Sequence, residues 1–545
     1  MKTFRTFVTY AALAFLGLFL LYPLSLVLNA SLRLDGTGAL TLANYGSIVA
    51  SPYYLHSLGN SLMASAMATV LAALIGVPLA FCLARIDIPG KAALLTLAAL
   101  PLVLPSFVAA YALVLLFGHA GVITTAMRAI GIPIGSIYGL PGIVLVFAFT
   151  LYPFVLMPTF AGFRAVDASI EEAGRNLGGS RWHVFRTVLL PVVSPAVMAG
   201  ALLVFIEALE NFGVPAVLAE DRPFLAVDIF KLFAGEADSD PASAGVLSVL
   251  LIICTALILL AQRHYLSRRR FSTNARSSPP VLPLSRGWRF VAAAFSWGAV
   301  LLSLLPFAAV LFISFMKFRG PVLSWEFDIG NYVMLLRGSY EPLYNTFLLA
   351  TVAAVVTIIL GAPIGYIVTR QRGPSAMALD LVAMIPFVVS GTVLAIGLII
   401  AFNSGVLVLT GGWLIIVIAY VVRKLPFGVR SASAIVHQID PSLEEASINL
   451  GVSPFRTFVR LTVPLMASGL VGGFVLVWIT AASELSSTIV LYTSRWSTMT
   501  VRMYQLLEGT GAGAATAAAS ILILFTCVPL LLVHRHLRRQ EDSLL

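Results

Sequence analysis

Charge is scarce in this chain. Only 11% of its 545 residues are charged, against 59% apolar, and the acidic residues number 24. Soluble domains carry roughly 25% charged residues, so that class is excluded. Cysteine is rarer still. Cys82, Cys254 and Cys527 all fall inside apolar runs without metal-ligand spacing, so they read as packing residues and say little about redox compartment. No G-x-x-x-x-G-K-[ST] phosphate loop is present, because Gly90-Lys91 is followed by alanine and lacks the upstream glycine. The chain is therefore expected to bind no ATP and no other cofactor, and to draw its energy from elsewhere. No Ser-His-Asp set or metal-ligand cluster has recognisable spacing. His534 and His536 sit in a basic tail, where a solvated role is expected.

What the chain has in abundance is apolar runs of membrane-spanning length. A mean hydropathy of +0.97 with such runs indicates an all-α polytopic membrane protein. Spans are expected near 7–28, 58–84, 93–118, 139–163, 193–214 and 243–262, then near 288–314, 343–369, 376–402, 411–428, 466–488 and 515–533. Lys2 and Arg5 put the N-terminus in the cytoplasm, and the first run is read as an uncleaved span. The basic tail at Arg535, Arg538 and Arg539 puts the C-terminus there too. The net charge of +10 comes from Lys and Arg spread over short loops, which cytoplasmic retention explains better than nucleic-acid binding. Arg370, Arg372, Arg423, Lys424, Arg430, Arg456 and Arg460 are placed on that inner side. Residues 216–240 are read as external, with a short amphipathic piece around Val227 to Phe233.

A polar stretch between spans occurs twice. Glu171–Pro191 reads EEAGRNLGGSRWHVFRTVLLP, and Glu444–Pro464 reads EEASINLGVSPFRTFVRLTVP, 273 positions on. Asp167 and Asp440 are good helix N-caps, and Ser169 with Glu172 or Ser442 with Glu445 also fits a capping box. The paired glutamates suit the first turns of a helix. Ile170, Ala173 and Leu177 share one face, as do Leu443, Ala446 and Leu450. Gly178 and Gly451 supply the residue that ends a helix in a left-handed conformation. A second short helix follows, capped by Ser180 or Ser453 and stopped by Pro191 or Pro464. Small residues at Ala173, Gly174, Ala446 and Ser447 are expected to let another surface approach. Asn60, Gly76, Pro78 and Arg85 also match Asn345, Gly361, Pro363 and Arg370 at an offset of 285. The chain is thus a parallel repeat: a first half over 1–262 with its loop at 167–191, a basic Ser- and Pro-rich linker over 263–287, and a second half over 288–545 with its loop at 440–464.

The spacing of these loops resembles the EAA motif of permease subunits of binding-protein-dependent ABC importers. Here it reads Glu172-Ala173-Gly174, Gly178 and Val188-Leu189-Leu190-Pro191, then Glu445-Ala446-Ser447, Gly451 and Leu461-Thr462-Val463-Pro464. Gly174 and Ser447 depart mildly from the second alanine. The resemblance implies a type I ABC importer transmembrane fold of about 12 spans in the bacterial inner membrane. It also implies cytoplasmic coupling helices that dock on two ATPase subunits, which use the ATP, and a periplasmic substrate-binding protein that delivers the cargo. Beyond membrane lipid, no other partner is expected, nucleic acid included.

Acidic groups near the ends of the fifth and eleventh spans are the remaining candidates. Glu210 with Asn211, and Ser483 with Glu484, are assigned to the translocation path, because an intramembrane carboxylate is costly unless it faces a cavity or partner. The bland alternative places them, with Glu207, in external water. Their oxygens suit a hard cation better than an anion. Glu207–Leu218, EALENFGVPAVL, and Ser483–Leu491, SELSSTIVL, resemble segments of ferric-iron permeases. Ferric iron is the first expectation for the cargo, with thiamine, phosphonate and polyamine open. An ion-coupled secondary carrier or a membrane scaffold gives no reason for duplicated EAA loops.

Overall fold

The computed structural model describes residues 2–34, 38–133, 135–235, 240–267, 285–319, 322–338, 340–371, 373–509 and 511–542. Most of the 263–287 linker, with Arg268, Arg269, Arg270 and also Arg372, lies outside the described residues. Among those described, ten helices are long and apolar enough to cross a membrane, and a bent pair makes eleven. Trp413–Val436 has spanning length, 24 residues, but carries Arg423, Lys424 and Arg430. It holds the place of Leu140–Arg164 in the repeat, and with it the six-plus-six plan is complete.

The third span of each half departs from the single helix expected. In the first half it is broken into Lys91–Val103 and Ser106–Phe117. Pro105 offers no N–H to continue the helix and forces Leu104 into an extended conformation, φ −81° and ψ 132°. In the second half Pro374–Phe387 and Gly391–Phe402 meet at 106°. The fifth spans also differ: the helices end at Leu209 and Ala482, earlier than the sequence suggests. Each is preceded by a π-helical turn, Phe185–Leu189 and Phe458–Thr462, just before Pro191 and Pro464. The wider turn relieves the hydrogen bond a proline cannot make.

The helices form two compact units, and these cut across the sequence halves. One comprises Met1–Ala50, Asp228–Ile252 and Ser314–Leu545; the other comprises Ser51–Val227 and Ile253–Ile313. Each unit takes its opening span from the opposite half of the sequence. In the first unit, Pro23 backs against Gly397, where a methyl would lie 3.0 Å from the Pro23 carbonyl oxygen, and Phe19 meets Phe402 at 5.6 Å between ring centroids. In the second, Arg286–Ile313 lies along the earlier helices. Trp297 Nε1 donates to Pro89 O at 3.2 Å, Tyr152 OH pairs with Ser303 Oγ at 3.3 Å, and Arg289 pairs with Asp87.

Small residues set the closest helix crossings. A methyl on Gly361 would sit 2.9 Å from the Gly428 carbonyl carbon, and one on Gly76 3.1 Å from Tyr152 O. Without a hydrophobic drive between helices in lipid, such close contact is a main source of association. Helices of 8 and 9 residues, Ala43–Ala50 and Gly330–Gly338, close the opening spans through one repeated device. Asn44 Nδ2 donates to Ser31 O and Arg33 O, and Asn331 Nδ2 donates to Ser314 O and Met316 O. Two further elements lie in the segments that connect spans. One is a hairpin, Met316–Arg319 with Val322–Phe327; the other is the helix Leu225–Ala234, over the amphipathic piece expected near 227–233.

Candidate coupling loops and buried charge

Both loops form as their residues dictate. Asp167 Oδ1 accepts from the Ser169 N–H at 3.0 Å and Asp440 Oδ1 from the Ser442 N–H at 2.9 Å, so the aspartates, not the serines, are the caps. Helices Ala168–Asn176 and Pro441–Asn449 follow. Gly178 and Gly451 both take φ of 85°, the left-handed turn expected of them. The apolar tips then stand in the open: Leu177 is 89% exposed and Leu450 85%. Ile170, Leu443, Trp182 and Phe455 are exposed as well.

The structure separates the two glutamates of each pair. Glu172 and Glu445 are exposed, as are Ala173 and Ala446. Glu171 and Glu444 are buried and tied to a membrane span. Arg85 Nη1 reaches Glu171 Oε2 at 3.1 Å, and Arg175 Nη2 reaches Oε1 at 3.4 Å. In the other unit Arg370 Nη2 and Nε reach Glu444 Oε1 at 3.2 and 3.3 Å, and Tyr366 OH donates to Oε2 at 2.7 Å. Arg85 and Arg370 are the last residues of Pro52–Arg85 and Glu341–Arg370, so each loop is fastened to its unit's second span. Sequence reasoning misses these anchors, although the match of Arg85 to Arg370 points to them. The small residues are also reassigned. A methyl on Gly174 would meet Val184 Cγ2 at 3.2 Å, and Ser447 Oγ lies 3.0 Å from Thr457 Oγ1. At these two positions the second helix of the loop itself is the surface that approaches. Pro191 and Pro464 do not stop the second helix of the loop as expected: it continues through a π turn into the fifth span, Trp182–Leu209 and Pro454–Ala482, with each proline in the first α-helical turn that follows.

The path candidates sit at the breaks after Leu190–Leu209 and Val463–Ala482. Glu210 and Glu484 are buried in the protein. Asn211 Oδ1 accepts from Val214 N at 2.9 Å, and its Nδ2 donates to Ser106 Oγ at 3.1 Å. Glu484, 273 positions later, accepts from Ser487 N at 3.4 Å in the same manner. Its oxygens are also held by Arg423 Nη1 at 2.6 Å and Lys424 Nζ at 2.7 Å. Arg423 is about 15 Å along its helix from the start at Trp413, at 1.5 Å per residue. That is the middle of the helix rather than near its end, where the expected span 411–428 puts Arg423 and Lys424. The first half has Thr150 and Leu151 at those places, and Ser106 where Gly391 makes room for the Arg423 guanidinium. One frame is thus polar in one half and ionic in the other. A carboxylate shared by two cations does not offer the hard-cation ligand expected of Glu484. Ser483 is half-buried and closes its helix through N–H donation to Ile479 O at 3.1 Å.

The family described as the binding-protein-dependent transport system inner membrane component matches residues 72–271 and again 358–541, enclosing both loops. The chain belongs to this family. It is an inner-membrane, multi-pass ABC importer permease whose permease domain occurs twice. The permease is 29% identical over 487 residues to the ferric transport system permease protein FbpB of Actinobacillus pleuropneumoniae, covering 87% of this chain and 70% of that one. It is 29% identical to the putative ferric transport system permease protein FbpB 1 of Haemophilus influenzae, over 89% of this chain and 77% of that one. The thiamine transport system permease protein ThiP of Salmonella typhimurium is 22% identical, over 89% and 90%.

Proposed function

We propose that this permease carries ferric iron across the bacterial inner membrane, driven by two separate ATPase subunits and supplied by a periplasmic binding protein. The observation that carries the reading is the pair of loops: two capped helices with bare apolar tips at Leu177 and Leu450, each ion-paired to a membrane span. Each tip is exposed together with Ile170 and Trp182, or Leu443 and Phe455, and several bare apolar side chains on one short loop suit a protein contact. Both loops then face the cytoplasm with the two termini, and each docks one ATPase through Glu172, Ala173 and Leu177 or Glu445, Ala446 and Leu450. Closure of the ATPases on ATP moves both loops, and the spans alternate their access. Glu210 with Asn211 and Ser483 with Glu484 lie along the path.

Iron is chosen over thiamine because the ferric permeases are the more similar relatives at comparable coverage of this chain. Uptake of labelled ferric iron, with labelled thiamine alongside, is measured in cells with and without the chain. Iron uptake that disappears on deletion and on ATP depletion is the expected result. Loss of thiamine uptake alone would overturn the cargo and keep the transporter. ATP-independent uptake would overturn the energy source.

A further inference from the structure

The two ion-paired joints that fasten the loops are assembled from matching parts, but not to the same completeness. Phe81 stands 285 positions before Tyr366, and their rings occupy the same place: Phe81 lies 4.9 Å from Phe185, and Tyr366 lies 5.0 Å from the matching Phe458. Only Tyr366 has the hydroxyl that donates to the glutamate, at 2.7 Å; at the first joint the glutamate's other partner is the exposed Arg175, at a longer 3.4 Å. Arg370 Nη2 also donates to Ile439 O at 2.7 Å. Arg85 is 1% exposed, yet its Nε and Nη2 have no acceptor among the described residues. A buried guanidinium with unmet donors is costly, so the first joint has a reason to rearrange that the second lacks. It also has room. An open, mainly apolar groove of about 970 Å³ lies on the glutamate side of it, lined by Phe81, Glu171, Arg175, Trp182 and Trp288 but not by Arg85.

We propose that Arg85–Glu171 and Arg370–Glu444 are positioning pairs that pass ATPase movement from each loop to the second span of its unit, and that they are mechanically unequal. The second pair, locked by Tyr366, is a stiff link. The first is compliant and rearranges during the cycle. The inference rests on the coupling role proposed above and adds a division of labour between the loops. It also explains why Glu171 and Glu444, rather than their exposed neighbours, are buried: the neighbours meet the partner and these two hold the frame.

The test uses the full chain with its ATPase in proteoliposomes. Co-purification reads docking, and ATP hydrolysis relative to the ATPase alone reads coupling. Glu444→Gln is expected to keep docking and lose about tenfold of the stimulation, the scale of a charge-assisted hydrogen bond. Tyr366→Phe, which keeps the ring and decides the matter if Glu444→Gln misfolds, is expected to lose about tenfold as well, because its hydroxyl donates to a carboxylate. Glu171→Gln is expected to lose less than Glu444→Gln. Phe81→Tyr places a hydroxyl beside Glu171, stiffens the compliant joint and slows hydrolysis at unchanged docking. Full stimulation in both second-joint variants would overturn the inference. So would docking that falls in step with stimulation, the mark of a merely structural pair. Equal losses at the two joints, or an unslowed Phe81→Tyr, would overturn the inequality. A wild-type chain that neither binds nor stimulates the ATPase would overturn the coupling role itself.

Discussion

At position 484 one buried carboxylate is shared by two neighbouring cations, Arg423 and Lys424, and offsets one of their two charges. Removing one member of such a set strands the others, which in buried sites costs about 3–5 kcal/mol. Glu484→Ala should therefore lower the thermal stability of the purified permease sharply, and adding Lys424→Met should restore part of it. A double variant as unstable as the single one would mean that charge balance is not what Glu484 provides. The residue scale is also where sequence reading stops short. Glu171 and Glu172 are adjacent and chemically identical, and which of them turns inward is decided by Arg85, 86 residues away. Glu484 is legible as an intramembrane carboxylate. Its partners are not, because Arg423 and Lys424 look like span-end residues until the helix is seen to run from Trp413 to Val436.

At the scale of elements the caps and glycine turns of the loops are legible, since they are local chemistry, whereas the expected proline stop is not one: the second helix runs on through Pro191 or Pro464 by way of a π turn. What they present outward follows from the same pattern. Leu177→Asp with Leu450→Asp, at fully solvated tips, should leave folding intact and abolish ATPase co-purification; each buried leucine contributes about 1.5–3 kcal/mol to a dock. Glu172→Ala with Glu445→Ala should likewise leave the protein inserted but detached from its ATPase, and unchanged association and uptake in either pair would sink the docking face. The cap has a pH signature. The Ser442 N–H and hydroxyl hold the Asp440 carboxyl below its ordinary 3.8, with the Arg370 charge adding to this. A depressed folded-state value means the cap's contribution is complete above the ordinary aspartate range and is lost as pH falls through the depressed value. Amide protection of Pro441–Asn449 should hold on acidification to that range and fall below it, while Asp440→Asn, which still caps but cannot ionise, should lessen the dependence. The broken third spans are less legible: Pro105 marks the first break, but in the second half Ser390 takes the extended conformation with no proline after it.

For the whole molecule, the sequence repeat and the compact unit are different divisions of one chain. Repeats are read along the chain, whereas the placing of an opening span depends on which helices its side chains meet, and nothing in Phe19 or Trp297 announces Phe402 or Pro89. The family match begins only at residues 72 and 358, past both opening spans, so the most recognisable part of each half omits the helix that the other unit receives. Fusion into one chain then supplies both opening spans in equal amount. Residues 1–262 expressed alone lack Arg286–Ile313, and residues 288–545 alone lack the span that ends at Ser31. Each bares the grooves that these helices fill, including the close approach at Gly397. Neither half alone should accumulate as a monodisperse protein, whereas the two co-expressed from separate genes should be recovered together. A lone half with the thermal stability of the intact permease would show that the opening span does not hold its unit together.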